Sequence, residues 1–190
     1  MKVIAVNGSA RGSAGNTAAA IMVVKKMLER SGDINCSVIH LKDKHVNPCN
    51  GCLACKEKNE CIQDDDMNGI YRMAQDADAI ILASPTYFSN VTSRMQMFIE
   101  RCGILARANG DTLKGKLGAS ITVARRAGEN FVYAALNYFF GIAQMPIVTS
   151  SYWNNILAGA PGETKDDEEG IEVLKQLGKN LEAILRKLNK

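Results

Sequence analysis

Four cysteines fall within thirteen residues: Cys49, Cys52, Cys55 and Cys61, spaced C-x2-C-x2-C-x5-C. Thiolates are the ligands of choice for soft metals and iron–sulfur clusters. Three of them at successive three-residue steps can wrap one side of a compact [4Fe–4S] cubane, and a fourth nearby closes the cage. The bacterial two-cluster spacing sends its last cysteine to a second cluster and follows it with proline. Here there is no second set, and Ile62 follows Cys61. One [4Fe–4S] cluster held by one loop, 45–63, is the reading that uses all four. Structural zinc takes two C-x2-C pairs a dozen or more residues apart, because each pair forms its own turn, and this crowding fits that pattern poorly. A redox-active set of free thiols is the other alternative. Disulfides are not expected, since nothing marks the chain as secreted. Cys36, in an apolar alternating run, and Cys102, on a predicted helix, read as buried small hydrophobes; either is a distant ligand should Cys61 not be one.

A second chemistry lies in Ser9-Ala10-Arg11-Gly12-Ser13-Ala14-Gly15-Asn16-Thr17. This run of small residues ends a predicted strand and opens a helix, where free N–H groups and the helix dipole favour an anion. Ser9 and Thr17 offer hydroxyls, Asn16 an amide and Arg11 a forked cation. It is neither a Walker loop nor the dinucleotide Gly-x-Gly-x-x-Gly turn. A monophosphate held by hydrogen bonds, such as that of FMN, suits it better than a magnesium-bound triphosphate. An ordinary small-residue turn is the bland alternative.

Two more loops carry groups suited to a flat ligand. Pro85, Thr86, Tyr87, Phe88, Ser89 and Asn90 follow an apolar strand, and the two rings could cover a heteroaromatic system. Arg125, Arg126, Ala127 and Gly128 follow the next strand. A backbone N–H or a cation placed there would stabilise a reduced, anionic flavin ring. His40 and His45 belong to no ligand pattern and read as structural or solvated.

The elements that must position these loops alternate. Apolar runs at 1–6, 36–41, 78–84, 117–123 and 146–153 predict five strands. Between them fall helices at 17–30, 92–106 and 129–144, one ending at residue 76 and capped by Asp64, Asp65 or Asp66, and a last at 167–188. This rhythm predicts an α/β fold, a five-stranded, flavodoxin-like, doubly wound parallel sheet with the cysteine loop inserted after the second strand. Ligands in such folds bind at the carboxyl ends of the strands, so the loops after strands one, three and four should meet there. By departure point, the cysteine loop belongs to the same end.

Gly8-Ser9-Ala10-Arg11…Asn16-Thr17, Ser84-Pro85-Thr86-Tyr87-Phe88-Ser89-Asn90-Val91 and Arg125-Arg126-Ala127-Gly128 resemble the NADPH-dependent FMN reductase superfamily. With Cys49, Cys52, Cys55 and Cys61 added, the chain is similar to the iron–sulfur flavoproteins of anaerobic archaea and bacteria, over nearly its whole length. The resemblance implies FMN, with Ser9, Arg11, Asn16 and Thr17 around its phosphate. It implies Pro85 to Asn90 along the ribityl chain and ring, and Arg125 to Gly128 beside the ring. It also implies a homodimer or homotetramer in which the cluster loop approaches the neighbouring subunit's FMN.

At 190 residues with a net charge of +3, the chain fits one domain and gives no case for nucleic acid or an anionic membrane as partner. Its apolar runs are below membrane-spanning length, residues 3–6 are too short for a signal peptide, and the cytoplasm is the expected location. The function expected is electron transfer between a one-electron carrier such as ferredoxin and FMN, then to oxygen, peroxide or a quinone. The alternatives are an NAD(P)H-dependent FMN or quinone reductase with an empty, zinc-bound or structural cysteine loop, and a non-enzymatic cysteine redox sensor. Lys25, Lys26 and Arg30 are candidates for docking an acidic ferredoxin, or simply a solvated helix face.

Overall fold

The computed structural model describes residues 1–188. Its five strands are β1 (Lys2–Asn7), β2 (Asn35–His40), β3 (Ala79–Pro85), β4 (Leu117–Ala124) and β5 (Asn155–Leu157). All pair in parallel in the order β2-β1-β3-β4-β5, the flavodoxin-like arrangement that the alternating pattern predicts. The helices are α1 (Asn16–Leu28), α2 (Cys55–Lys58), α3 (Met67–Asp76), α4 (Ser93–Ala108), α5 (Glu129–Ile142) and α6 (Glu168–Leu188). Among the described residues no helix is long and apolar enough to cross a membrane.

The strands read as unbroken apolar runs because both faces of the sheet are covered. Val3 and Ala5 of β1 and Ala79, Ile81 and Ala83 of β3 point to one core, with Ile21, Val24 and Leu28 of α1 and Leu174, Leu177 and Leu181 of α6. Ile4, Val6, Ile80 and Leu82 point to the other, beneath α3, α4 and α5. Gly118 lets α5 approach β4, since a Cβ there would stand 2.5 Å from the Phe140 ring.

The fifth strand departs from expectation. Pairing with β4 starts within 146–153 but only as one bridge between Gly118 and Ile147. β5 resumes at Asn155, opposite Thr122. Between them, the Asn154 side-chain amide donates to Ser120 O at 3.0 Å, and its Oδ1 accepts from Ser150 Oγ at 2.6 Å. Asn and Ser side chains offer the backbone an alternative to the ladder, and here they bulge the chain out of it. Tyr152 and Trp153, predicted to end the fifth strand, therefore precede it.

Thr92 caps α4, its Oγ1 accepting from Met95 N–H at 3.2 Å and donating to Gly8 O at 2.7 Å. One helix end is thus tied directly to the first loop. The aspartate run begins α3 differently from a simple cap: Asp66 occupies the cap position, yet Asp65 Oδ1 takes the Met67 N–H at 3.0 Å.

Candidate functional site

The loops after β1, β3 and β4 meet at the carboxyl edge of the sheet and enclose a cleft of about 230 Å³. Ser9 and Arg11 come from the first loop, Asn16 and Thr17 from the start of α1, Pro85 from the end of β3 with Thr86 and Tyr87 just after it, and Arg125 follows β4. Ala158 and Gly159 close the far side, a contribution the sequence did not announce. Two guanidinium groups and no carboxylate stand in this wall. Thr86 Oγ1 is buried without a partner, an acceptor and donor held ready for a ligand atom. Gly15 keeps the cradle open, because a Cβ there would lie 2.9 Å from Ser9 Oγ and 3.0 Å from the Arg11 Cβ. Hydroxyls, paired cations and a helix N-terminus fit a phosphate monoester on a small polar molecule, as in FMN.

The first loop is held from behind by Asn7, which is fully buried. Its Oδ1 accepts from Ser9 N–H at 2.9 Å, and its Nδ2 donates to Gly12 O at 3.1 Å and lies 2.9 Å from His40 Nδ1. Asn16 is likewise committed to scaffold: Nδ2 donates to Ala160 O at 2.7 Å, and Oδ1 accepts from Gly162 N–H at 2.9 Å. It borders the cleft while tying α1 to the segment after β5. Lys25, a candidate docking cation, is engaged by Glu29 at 2.5 Å.

The third loop is a two-residue hairpin. Tyr87 and Asn90 exchange backbone bonds at 2.9 Å, with Phe88 at φ 50° and Ser89 at φ 58° between them. Positive φ at both central residues matches the twist of a tight hairpin but is uncommon outside Gly, Asn and Asp. Phe88 is fully exposed at the tip rather than folded over the cleft. Gly128, at φ 91°, brings the fourth loop against Ser89, whose Oγ would lie 2.5 Å from an added Cβ. Arg126 and Ala127 are exposed beside it. The cleft thus gathers eight of the fourteen residues predicted to bind the cofactor; Phe88, Ser89, Asn90, Arg126, Ala127 and Gly128 are not part of its lining.

The cysteine loop starts at the same edge, with His45 and Val46 near Ser93 and Met97 in the first turns of α4. It does not stay there. Cys49, Cys52, Cys55 and Cys61 all line one small apolar pocket against Arg101, Ile104 and Leu105, farther along α4. The expected shared end of the sheet is therefore only the loop's point of departure. Gly51 at φ 69° and Leu53 at φ 58° turn the chain on either side of Cys52, and Asn59 at φ 59° turns it after α2. A leucine at positive φ is strained, and such strain collects at functional loops. Among the described residues no three His, Cys, Asp or Glu side chains are gathered as a single-ion site. Burial, reinforced by repulsion from the other three cysteines, pushes the Cys55 thiol up. Cys36 and Cys102 are fully buried elsewhere, their thiols pushed by burial to about 11 and about 12, which makes both inert.

Arg101 is the residue here that sequence reasoning missed. It is 2 % exposed, forks to Asp65 at 2.8 and 3.0 Å, and donates to Asn47 O at 2.8 Å and Cys61 Sγ at 3.0 Å. Burial alone would raise the Asp65 carboxyl, but Arg101 and the N–H groups of Asn47 and Met67 outweigh it and hold the group below the usual range.

Residues 1–157 match the profile of the family described as NADPH-dependent FMN reductase. An iron-sulfur flavoprotein of Methanocaldococcus jannaschii is 34 % identical over 197 residues, covering all of both chains. An iron-sulfur flavoprotein of Archaeoglobus fulgidus is 32 % identical, covering 95 % of this chain and 94 % of its own. Among solved structures, RosB with a bound 8-demethyl-8-formylriboflavin-5'-phosphate intermediate superposes with a TM-score of 0.79 at 18 % identity, over all of this chain and 80 % of its own. The last is a likeness of fold. The full-length relatives and the profile go further: the chain belongs to the NADPH-dependent FMN reductase family, as a flavin-dependent oxidoreductase whose curated full-length relatives are iron-sulfur flavoproteins.

Proposed function

We propose that this protein binds FMN in the cleft and a [4Fe–4S] cluster in the cysteine pocket, and passes electrons between a one-electron carrier such as ferredoxin and a small acceptor such as oxygen, peroxide or a quinone. The observation that carries this reading is the convergence of all four motif cysteines on one pocket in a chain that also has a cation-lined cleft. When bound, FMN supplies two-electron chemistry that can be divided into single steps, and the cluster supplies single-electron transfer. The chain's work is binding and tuning. Ser9, Thr17, Arg11 and the start of α1 hold the phosphate, with Asn16 fixing the loop. Pro85, Thr86 and Tyr87 line the ribityl chain and ring, and Arg125 offers a cation to the ring's reduced form. Phe88, Ser89, Asn90, Arg126, Ala127 and Gly128 form the rim.

The same reading includes a homodimer or homotetramer. Thr92, the cap of α4 bonded to Gly8 of the first loop, and Arg101, at the cysteines, are nine residues apart, or ~14 Å along the helix axis. Phe131, Tyr138 and Ile142 form an exposed apolar stripe on α5, and Phe88 projects from the rim. A second copy covering these groups brings one chain's cysteine pocket toward the other's cleft.

The test is iron, acid-labile sulfide and FMN content of anaerobically purified protein, followed by turnover with reduced ferredoxin. About four irons, four sulfides and one FMN per chain are expected. Cys52→Ser should lose the iron and keep the FMN. FMN without iron after anaerobic reconstitution, together with rapid NAD(P)H oxidation, would support the alternative that the family's description favours, a nucleotide-dependent FMN or quinone reductase with a structural cysteine loop.

A further inference from the structure

Cys49, Cys52 and Cys55 are placed by their own turns, but Cys61 lies beyond Asn59 and is positioned by side chains from outside the motif. Asn68 clamps its backbone on both sides, Oδ1 accepting the Cys61 N–H at 2.9 Å and Nδ2 donating to its carbonyl at 2.8 Å. Its sulfur receives the Arg101 Nη2 donor at 3.0 Å. The remaining bonds of that guanidinium go to Asn47 O and to both Asp65 oxygens, and its Nε has no partner. Side-chain exposures of 2 % for Arg101 and 0 % for Asp65 leave neither group free to swing away.

A buried charge is costly, so a cation this deep needs a reason beyond holding a loop. Hydrogen bonds to ligand sulfurs are a main lever on cluster potential. We infer that Arg101 is a positioning residue that sets the electronic character of the fourth ligand: its N–H on Cys61 stabilises the negative charge gained on one-electron reduction, and Asp65 limits that effect. This rests on the proposal that Cys61 ligates a [4Fe–4S] cluster. Lysine is no substitute, because a compact ammonium cannot make the Asp65 fork while also reaching Asn47 O and Cys61 Sγ.

The test is a redox titration, followed by electron paramagnetic resonance, of full-length FMN-loaded protein. Arg101→Lys should lower the cluster midpoint by at least the equivalent of a tenfold change in the reduced-to-oxidised ratio, about 59 mV for one electron. Asp65→Asn, which keeps the N–H on Cys61 but removes the adjacent negative charge, should raise it. Opposite shifts distinguish tuning from loosened packing, since both variants weaken the same clamp. If Arg101→Lys fails to hold a cluster, the upward shift in Asp65→Asn carries the test alone. Unchanged midpoints, or shifts of the same sign, overturn the Arg101 assignment and leave the cluster standing. Wild-type protein that takes up no iron on reconstitution overturns both.

Discussion

At the sheet edge, the first loop is fixed by neutral amides: Asn7 binds Ser9 N–H and Gly12 O, and Asn16 binds Ala160 O and Gly162 N–H. Along α4, the cysteine loop is fixed by a buried charge pair, Arg101 with Asp65. On the proposed function, the difference follows from what each region would hold. A cleft for an anion works best if its scaffold leaves Arg11 and Arg125 uncompensated, and amides can bear the architecture without consuming that charge. On the proposed function the four cysteines would ligate as thiolates, so a cation in the pocket wall would serve both fold and ligand, with a carboxylate to moderate it.

The comparison breaks most visibly if the charge pair is cut. Asp65→Ala leaves Arg101 buried and unpaired, at a cost of about 3–5 kcal/mol. Urea denaturation should register that loss as a lower midpoint. Cutting an amide should do less: Asn7→Ala strands Ser9 N–H and leaves Gly12 O with only the Gly15 N–H, costing about 1–3 kcal/mol. Flavin fluorescence titration of that variant should show FMN affinity down on the order of tenfold, the equivalent of about 1.4 kcal/mol, with iron content unchanged. The smallest effect is a pH dependence confined to one region. The folded Asp65 carboxyl lies below its ordinary 3.8, so its stabilising contribution is complete above that value and fades as pH falls through the lower, folded one. Acid titration should therefore show a loss of stability below about pH 4 that Asp65→Asn removes, whereas Asn7→Ala retains it.

Much of the fold was legible, because continuous runs such as Ala79 to Ala83 mark strands covered on both faces, and the small-residue and Pro-Thr-Tyr loops mark the cleft. The interrupted fifth strand was not. Its apolar residues at 146–148 have the right composition, and only the three-dimensional partnership of Asn154 with Ser120 O displaces the pairing. The four cysteines were legible as one set from spacing, and they line one pocket. Arg101 was not, because a lone arginine on a helix reads as a solvated charge, and its partners lie 36 to 54 residues away in sequence. Asp65 likewise reads as one of three interchangeable helix caps until the guanidinium it pairs with is in view.

That long-range clamp has a consequence for synthesis. Cys61 leaves the ribosome 40 residues ahead of Arg101. At 5–20 residues per second this is an interval of about 2–8 s, lengthened by the time α4 needs to dock. During it the thiols are part of an unanchored nascent segment. On the proposed function, metallation is therefore best timed after translation has passed α4, because a chain stalled before that point presents four sulfurs without the Arg101 donor to the fourth.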